Sequence, residues 1–201
     1  MIELLNHPAY KIIYKYKKNG VVIDYVIMQN DSTKHTYEEH KKAAIHAMKI
    51  IAKHWDEYAF DKIANDPYCK NWKREDFFSI SWDESSLSSN VYPIEQFFAL
   101  PEDSYYIDKP ETKTRAWSTD QFAQYAYAFL EPPYGNKYVI KDWEVLNNIL
   151  FSSREDLEIY QWNTDWSNYF NDGLEWWGAY YWTVYDLKYN IFVVIGASAT
   201  D

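Results

Sequence analysis

Trp177-Gly-Ala-Tyr-Tyr-Trp-Thr-Val-Tyr185, then Asp-Leu-Lys-Tyr-Asn, then Ile191-Phe-Val-Val-Ile-Gly-Ala197 is the stretch that decides the fold class. Both flanks are β-branched and aromatic, the side chains that suit a pleated, half-buried surface. The intervening residues have the length of a hairpin loop. Ile191 to Ile195 is apolar at every position, so both faces of that strand need cover, and a central place in a sheet with helices on it is expected. Leu157 to Trp162 reads as another strand.

Working back from there, helices and turns alternate. Asp165 to Asn171 reads as a short capped helix that Gly173 closes. Asp142 is placed to cap a helix whose apolar side is Trp143, Leu146, Ile149 and Leu150. Ser118-Thr119-Asp120-Gln121 has capping-box spacing ahead of Phe122, Tyr125, Ala126 and Phe129, a stripe that must end before Pro132-Pro133. Asp83 to Ala116 carries few periodic signals and reads mostly as loop, while Phe77 to Trp82 alternates like a strand.

Thr36-Tyr37-Glu38-Glu39 is a second capping box. It opens a helix of about 27 residues that stops near Asn65-Asp66-Pro67. Ala44, Ala47, Met48, Ile51, Ala52, Trp55, Tyr58 and Ala59 share one face of it; Glu39, Lys42, His46, Lys49 and Lys53 share the other. At the N-terminus, Tyr10 to Lys17 and Val21 to Met28 flank Lys18-Asn19-Gly20 and read as a hairpin closed by an Asn-Gly turn. The expectation is an α+β fold: a mainly antiparallel sheet with N- and C-terminal hairpins, covered by about three helices. Residues 1–201 show no composition break that would mark a linker, so one domain is expected.

Composition bounds the function classes. The 201 residues are 47% hydrophobic and 25% charged, an ordinary globular balance, and include 10 Trp, 20 Tyr and 10 Phe. So many rings favour a large core, with some left over for contacts. The one cysteine, Cys69, excludes an internal disulfide and a thiolate-rich zinc site. The first residues lack the charge and apolar pattern of a secretory signal, and the longest apolar run falls far short of a bilayer span. A cytoplasmic protein without membrane contact is expected.

The net charge of −10 is unevenly spread. Residues 1–75 hold 13 Lys/Arg against 10 Asp/Glu, and the rest hold 7 against 20. Phosphate backbones would be repelled by the larger part, which argues against nucleic acid; a basic protein is the natural partner of such a surface.

Most catalytic motifs fail on spacing. His35 and His40 are five apart, about 140° around a helix, rather than the four that converge on one metal, and His46 lies among lysines. His40 and His54 flank the apolar face. Gly173 and Gly178 have a P-loop gap, but Ala179-Tyr180 stands where Lys and Ser/Thr are required. There is no Gly-x-Ser-x-Gly elbow, and no cofactor or metal motif is read.

What remains is a tract with four Trp and three carboxylates: Trp162, Asp165, Trp166, Asp172, Glu175, Trp176 and Trp177. Three readings of it compete. It is a protein interface with indole anchors amid acids, a carbohydrate site in which rings stack on sugars and Asp165, Asp172 or Glu175 binds or hydrolyses them, or packing at a strand edge.

Glu175-Trp-Trp-Gly178 followed by Trp182-Thr-Val184 and Ala197-Ser-Ala-Thr-Asp201 resembles the tail of small uncharacterised bacterial proteins, and Glu131-Pro-Pro-Tyr-Gly135 goes with it. The general build is similar to that of bacterial toxin-immunity proteins. That resemblance implies a small, acidic, cytoplasmic binding protein with a basic partner, and it brings no catalytic residue.

Overall fold

The computed structural model describes residues 1–100, 123–151 and 153–199. Its centre is one six-stranded antiparallel sheet. In chain order the strands are β1 (Ile2–Glu3), β2 (Ile23–Gln29), β3 (Ser89–Val91), β4 (Leu157–Trp162), β5 (Tyr180–Asp186) and β6 (Ile191–Ala197). Across the sheet they run β1-β2-β6-β5-β4-β3. The C-terminal hairpin is present as expected, with Trp182 opposite Ile195 and Val184 opposite Val193. β6 is central, paired on its other side with β2, where Tyr25 meets Ile195 and Ile27 meets Val193.

Alternation along these strands divides the side chains between two apolar clusters. Tyr25, Ile27, Ile159, Trp182, Val184, Val193 and Ile195 point to one face. Val26, Met28, Trp162, Tyr181, Tyr185, Phe192 and Val194 point to the other. The first face is covered by α1 (Ala9–Lys17), α3 (Ile94–Phe97), α4 (Gln124–Leu130) and α5 (Ile140–Leu150); the second is covered by α2 (Tyr37–Asn65). A further short helix, α6 (Asn171–Leu174), precedes β5. The result is α+β.

The N-terminal hairpin is corrected. Tyr10 to Lys17 is not a strand but belongs to α1, and β2 pairs with β1 and β6 instead. The segment satisfies both periods: Tyr10, Ile12, Tyr14 and Tyr16 alternate, while Ala9, Ile13 and Tyr16 have helical spacing and are the residues buried. Pro8 fits the start of a helix, and Lys15 and Lys17 favour its C-terminal end. Asn19-Gly20 closes that helix: Val21 N donates to Tyr16 O and Gly20 N to Lys17 O, both at 3.2 Å, with Gly20 at φ +101°. A Cβ at Gly20 would meet the Gly135 carbonyl oxygen at 2.6 Å. Gly20→Ala is therefore expected to cost about 1–2 kcal/mol from the backbone conformation alone, read as a lower urea midpoint at unchanged m.

Other local expectations are redrawn by side-chain hydrogen bonds. Phe77 to Trp82 forms no strand beyond an isolated bridge between Trp82 and Ser167. There the Asn168 side chain takes a strand partner's place, accepting from Ser81 N at 2.7 Å and donating to Ser79 O at 2.9 Å. The turn after Asp165 is a 3-10 turn, Asn168–Phe170, capped by Ser167, and Gly173 lies within α6 rather than closing it. Gly178, at φ +119°, makes the reversal and donates to Gly173 O at 2.6 Å. Asp142 sits in the first turn of α5 and accepts from Val139 N at 3.1 Å. Within 83–116, β3 and α3 are structured; 101–122, with the Ser118–Gln121 cap, lies outside the described residues.

Helix α2 matches its expected span, but Thr36 makes no side-chain cap. Its buried residues are His40, Ala43, Ala44, Ala47, Met48 and Ile51, followed only by Ala59. Among the described residues, no α2 residue beyond Ile51 joins the apolar cluster on that face of the sheet. Residues 52–65 therefore extend about 21 Å past that cluster at 1.5 Å per residue, and Trp55 and Tyr58, on the apolar face, stand exposed.

Candidate functional site

The seven residues of the Trp and carboxylate tract are not presented as one surface. Trp162 and Trp166 are buried on the α2 face of the sheet, and Trp177 is buried on the opposite face. Trp162 Nε1 donates to Thr183 Oγ1 at 3.0 Å. Trp166 packs against Phe170 and Tyr181. Trp177 Nε1 donates to Glu131 O at 2.6 Å while its ring stacks on Tyr127. These three indoles serve the interior.

Asp165, Asp172, Glu175 and Trp176 face solvent. Asp165 accepts a hydrogen bond from Asn163 Nδ2. Asp172, Glu175 and Trp176 are joined by exposed Leu174 on α6 and the turn after it, with Leu174 and Trp176 each 53% exposed. Gly173 holds this turn down: its N–H donates to Ser198 Oγ at 3.2 Å, and an added Cβ would collide with the Gly178 carbonyl. Asp172 and Glu175 take part in no ion pair among the described residues. Two exposed apolar side chains and two carboxylates without an ion pair are thus displayed on one braced turn.

A second grouping was not legible in the sequence, because it joins the lead into α2 to β4 and β5. His35 Nδ1 lies 2.7 Å from Glu158 Oε2, and its ring stacks on Tyr185 at 5.6 Å. Glu158 and Tyr185 are cross-strand partners. Burial, with the nearby Glu158 carboxylate and a hydrogen bond to it, raises the Tyr160 phenol above its ordinary range. Behind them His40 is fully buried, its ring 4.4 Å from that of Tyr160 and edge-on to Phe192 at 4.9 Å. His40 Nδ1 is hydrogen-bonded to Thr183 Oγ1 at 2.7 Å, and its Nε2 has no partner among the described residues. Desolvation, helped by His35, lowers the His40 pKa from 6.5 to about 3, so the ring is neutral at physiological pH.

A cavity of about 300 Å³ is lined by Met1, Asp31, Ser32, Glu39, Lys42 and His46. Its charges already satisfy one another, the Met1 amine with Asp31 and Lys42 with Glu39, both at 2.8 Å. None of the seven tract residues lines it. Among the described residues, no group of three or more His, Cys, Asp or Glu side chains is placed to hold a metal ion. No helix among them is long and apolar enough to cross a membrane. Comparison with protein-family models, curated proteins and solved structures finds no match, so the functional reading rests on this geometry.

Proposed function

We propose that this chain is a binding protein, immunity-like in kind, that engages a basic protein through its acidic C-terminal half. The observation that carries the reading is the α6 turn, where Leu174 and Trp176, each about half exposed, flank exposed Glu175 in the chain, two and four residues after exposed Asp172. A single indole with an aliphatic neighbour has the make-up of a hot spot, and carboxylates around it steer a cationic surface into register. Acids outnumber bases 20 to 7 beyond residue 75, a balance that favours a cationic partner. The carbohydrate reading keeps Trp176 as its only outward indole within the tract.

The test is affinity capture from the source cell with the wild type, Trp176→Ala and Glu175→Lys. A basic partner in stoichiometric amount, bound more weakly as salt rises, is expected for the wild type. Trp176→Ala is expected to weaken it by about 2 kcal/mol or more, some 30-fold. Glu175→Lys should slow association and flatten its salt dependence. Equal capture by all three proteins would remove the α6 turn from the interface.

A further inference from the structure

We propose that the arm formed by the second half of α2 and the chain that returns along it is a self-association surface, seating the same arm of a second copy of this protein. Among the described residues, no α2 residue beyond Ile51 packs in the cluster on that face of the sheet, and the chain from 66 to 78 folds back along the helix instead. Arg74 ties the return to the helix, pairing with Asp56 and donating to Phe77 O at 3.2 Å and Ser79 Oγ at 3.0 Å. Phe78 meets Trp55 edge-on at 6.1 Å, and Trp55 meets Tyr58 at 5.9 Å. Cys69 and Ala59 are buried on this arm, so it has an inside as well as an outside.

The outside is aromatic. Trp55, Tyr58, Tyr68, Trp72 and Phe78 are between 39% and 92% exposed. Weighted by those exposures, at 150–250 Å² per ring, they leave roughly 400–700 Å² of ring surface uncovered. A stable interface buries about 600–1,000 Å² per partner. With Lys62 Nζ over the Tyr58 ring at 5.8 Å, the exposed rings reach the lower end of that range.

Charge selects the occupant. Residues 52–78 hold five Lys/Arg and six Asp/Glu, a net −1 on a chain of −10. Most of these charges are neutralised on the arm itself, through Lys53–Glu57, Lys62–Asp66, Lys73–Glu75 and Arg74–Asp56. A strongly basic partner gains more at the acidic half, and a strongly acidic one is repelled by the molecule as a whole. A second copy brings a near-neutral face with the same interspersed signs, and a two-fold arrangement of arms keeps the acidic halves apart.

The experiment is sedimentation equilibrium up to about 100 μM protein, where micromolar association is readily seen, at low and at moderate salt. A dimer is expected, strengthened as salt screens the repulsion between two acidic chains; this is the opposite salt dependence to that of the basic partner at the α6 turn. Tyr58→Glu should weaken association roughly tenfold or more with an unchanged far-UV spectrum. Should that variant fail to fold, Tyr68→Glu, on a ring 92% exposed, gives the same readout. Trp176→Ala should leave the dimer intact. A monomer at both salt concentrations, or a dimer that persists in the folded arm variant, overturns the proposal.

Discussion

Between pH 6.5 and about 3, His40 is expected to remove roughly 1.4 kcal/mol of folding stability for each pH unit of acidification, some 4–5 kcal/mol in all. The sign follows from the direction of the shift. Burial lowers the folded-state pKa from 6.5 to about 3, so in that window the unfolded chain takes up a proton that the fold refuses. Above pH 6.5 neither state binds it, and the contribution is flat. The interior explains the refusal: His40 has the Tyr160 and Phe192 rings against it, Thr183 on one nitrogen and no acceptor on the other. Urea unfolding of the wild type and His40→Leu at pH 7, 6, 5 and 4 measures the term. The variant starts less stable, having lost a buried hydrogen bond, but its curve should be shallower by about one proton's slope. Carboxylates that ion pairs or hydrogen bonds hold below their usual range, such as Asp66 and Asp83, titrate equally in both proteins and drop out of the difference. Parallel curves would show that His40 is protonated inside the fold.

The second large effect is expected at Thr183, the hydroxyl on which two buried side chains depend. Its Oγ1 accepts from Trp162 Nε1 at 3.0 Å and is bonded to His40 Nδ1 at 2.7 Å. Thr183→Val keeps the shape and removes the oxygen, leaving an indole N–H and an imidazole nitrogen without partners in a site closed to water. At about 1–3 kcal/mol for each of the two orphaned groups, the loss of unfolding free energy should be about 2–6 kcal/mol, read from the denaturant midpoint at unchanged m. Thr183→Ser retains the hydroxyl and gives up one methyl, so about 1 kcal/mol is expected. The contrast between the two is the test. If serine were as damaging as valine, methyl packing rather than the polar network would account for the residue.

These expectations concern residues that the sequence placed imperfectly. Thr183 is legible as a strand residue, and its neighbours Trp182 and Val184 give the alternation away. Nothing in the string shows that a histidine 143 positions earlier will sit on it. His40 was legible only as a residue flanking the apolar face of α2. The pairing of His35 with Glu158 was hidden for the same reason, as it joins a pre-helix loop to a strand on the far side of β6. The α6 turn was half legible: its acids and Trp176 were singled out, but so were three indoles that the fold seals inside. Composition shows that a tract is rich in rings, whereas exposure depends on which face of the sheet each strand residue takes and what covers that face.

By itself the sequence determined the elements whose apolar period is unambiguous. β6, apolar at each successive position, had to lie centrally under helices on both faces, and α2 carried a helical stripe long enough to mark its full length. Local periodicity is enough there because each residue's burial is decided by its own element. Where two periods coexist, as in Ala9–Lys17, a proline before the segment and a glycine after it tipped the balance to a helix. Tertiary structure alone decided how far along α2 the apolar cluster on its side of the sheet reaches, and so why Ile51 is core while Trp55 and Tyr58 on the same stripe are surface. It alone divided the tryptophans between two opposite interiors. A helix or strand records which of its side chains share a face, but the partner that covers the face comes from elsewhere in the chain, and its reach is set by packing.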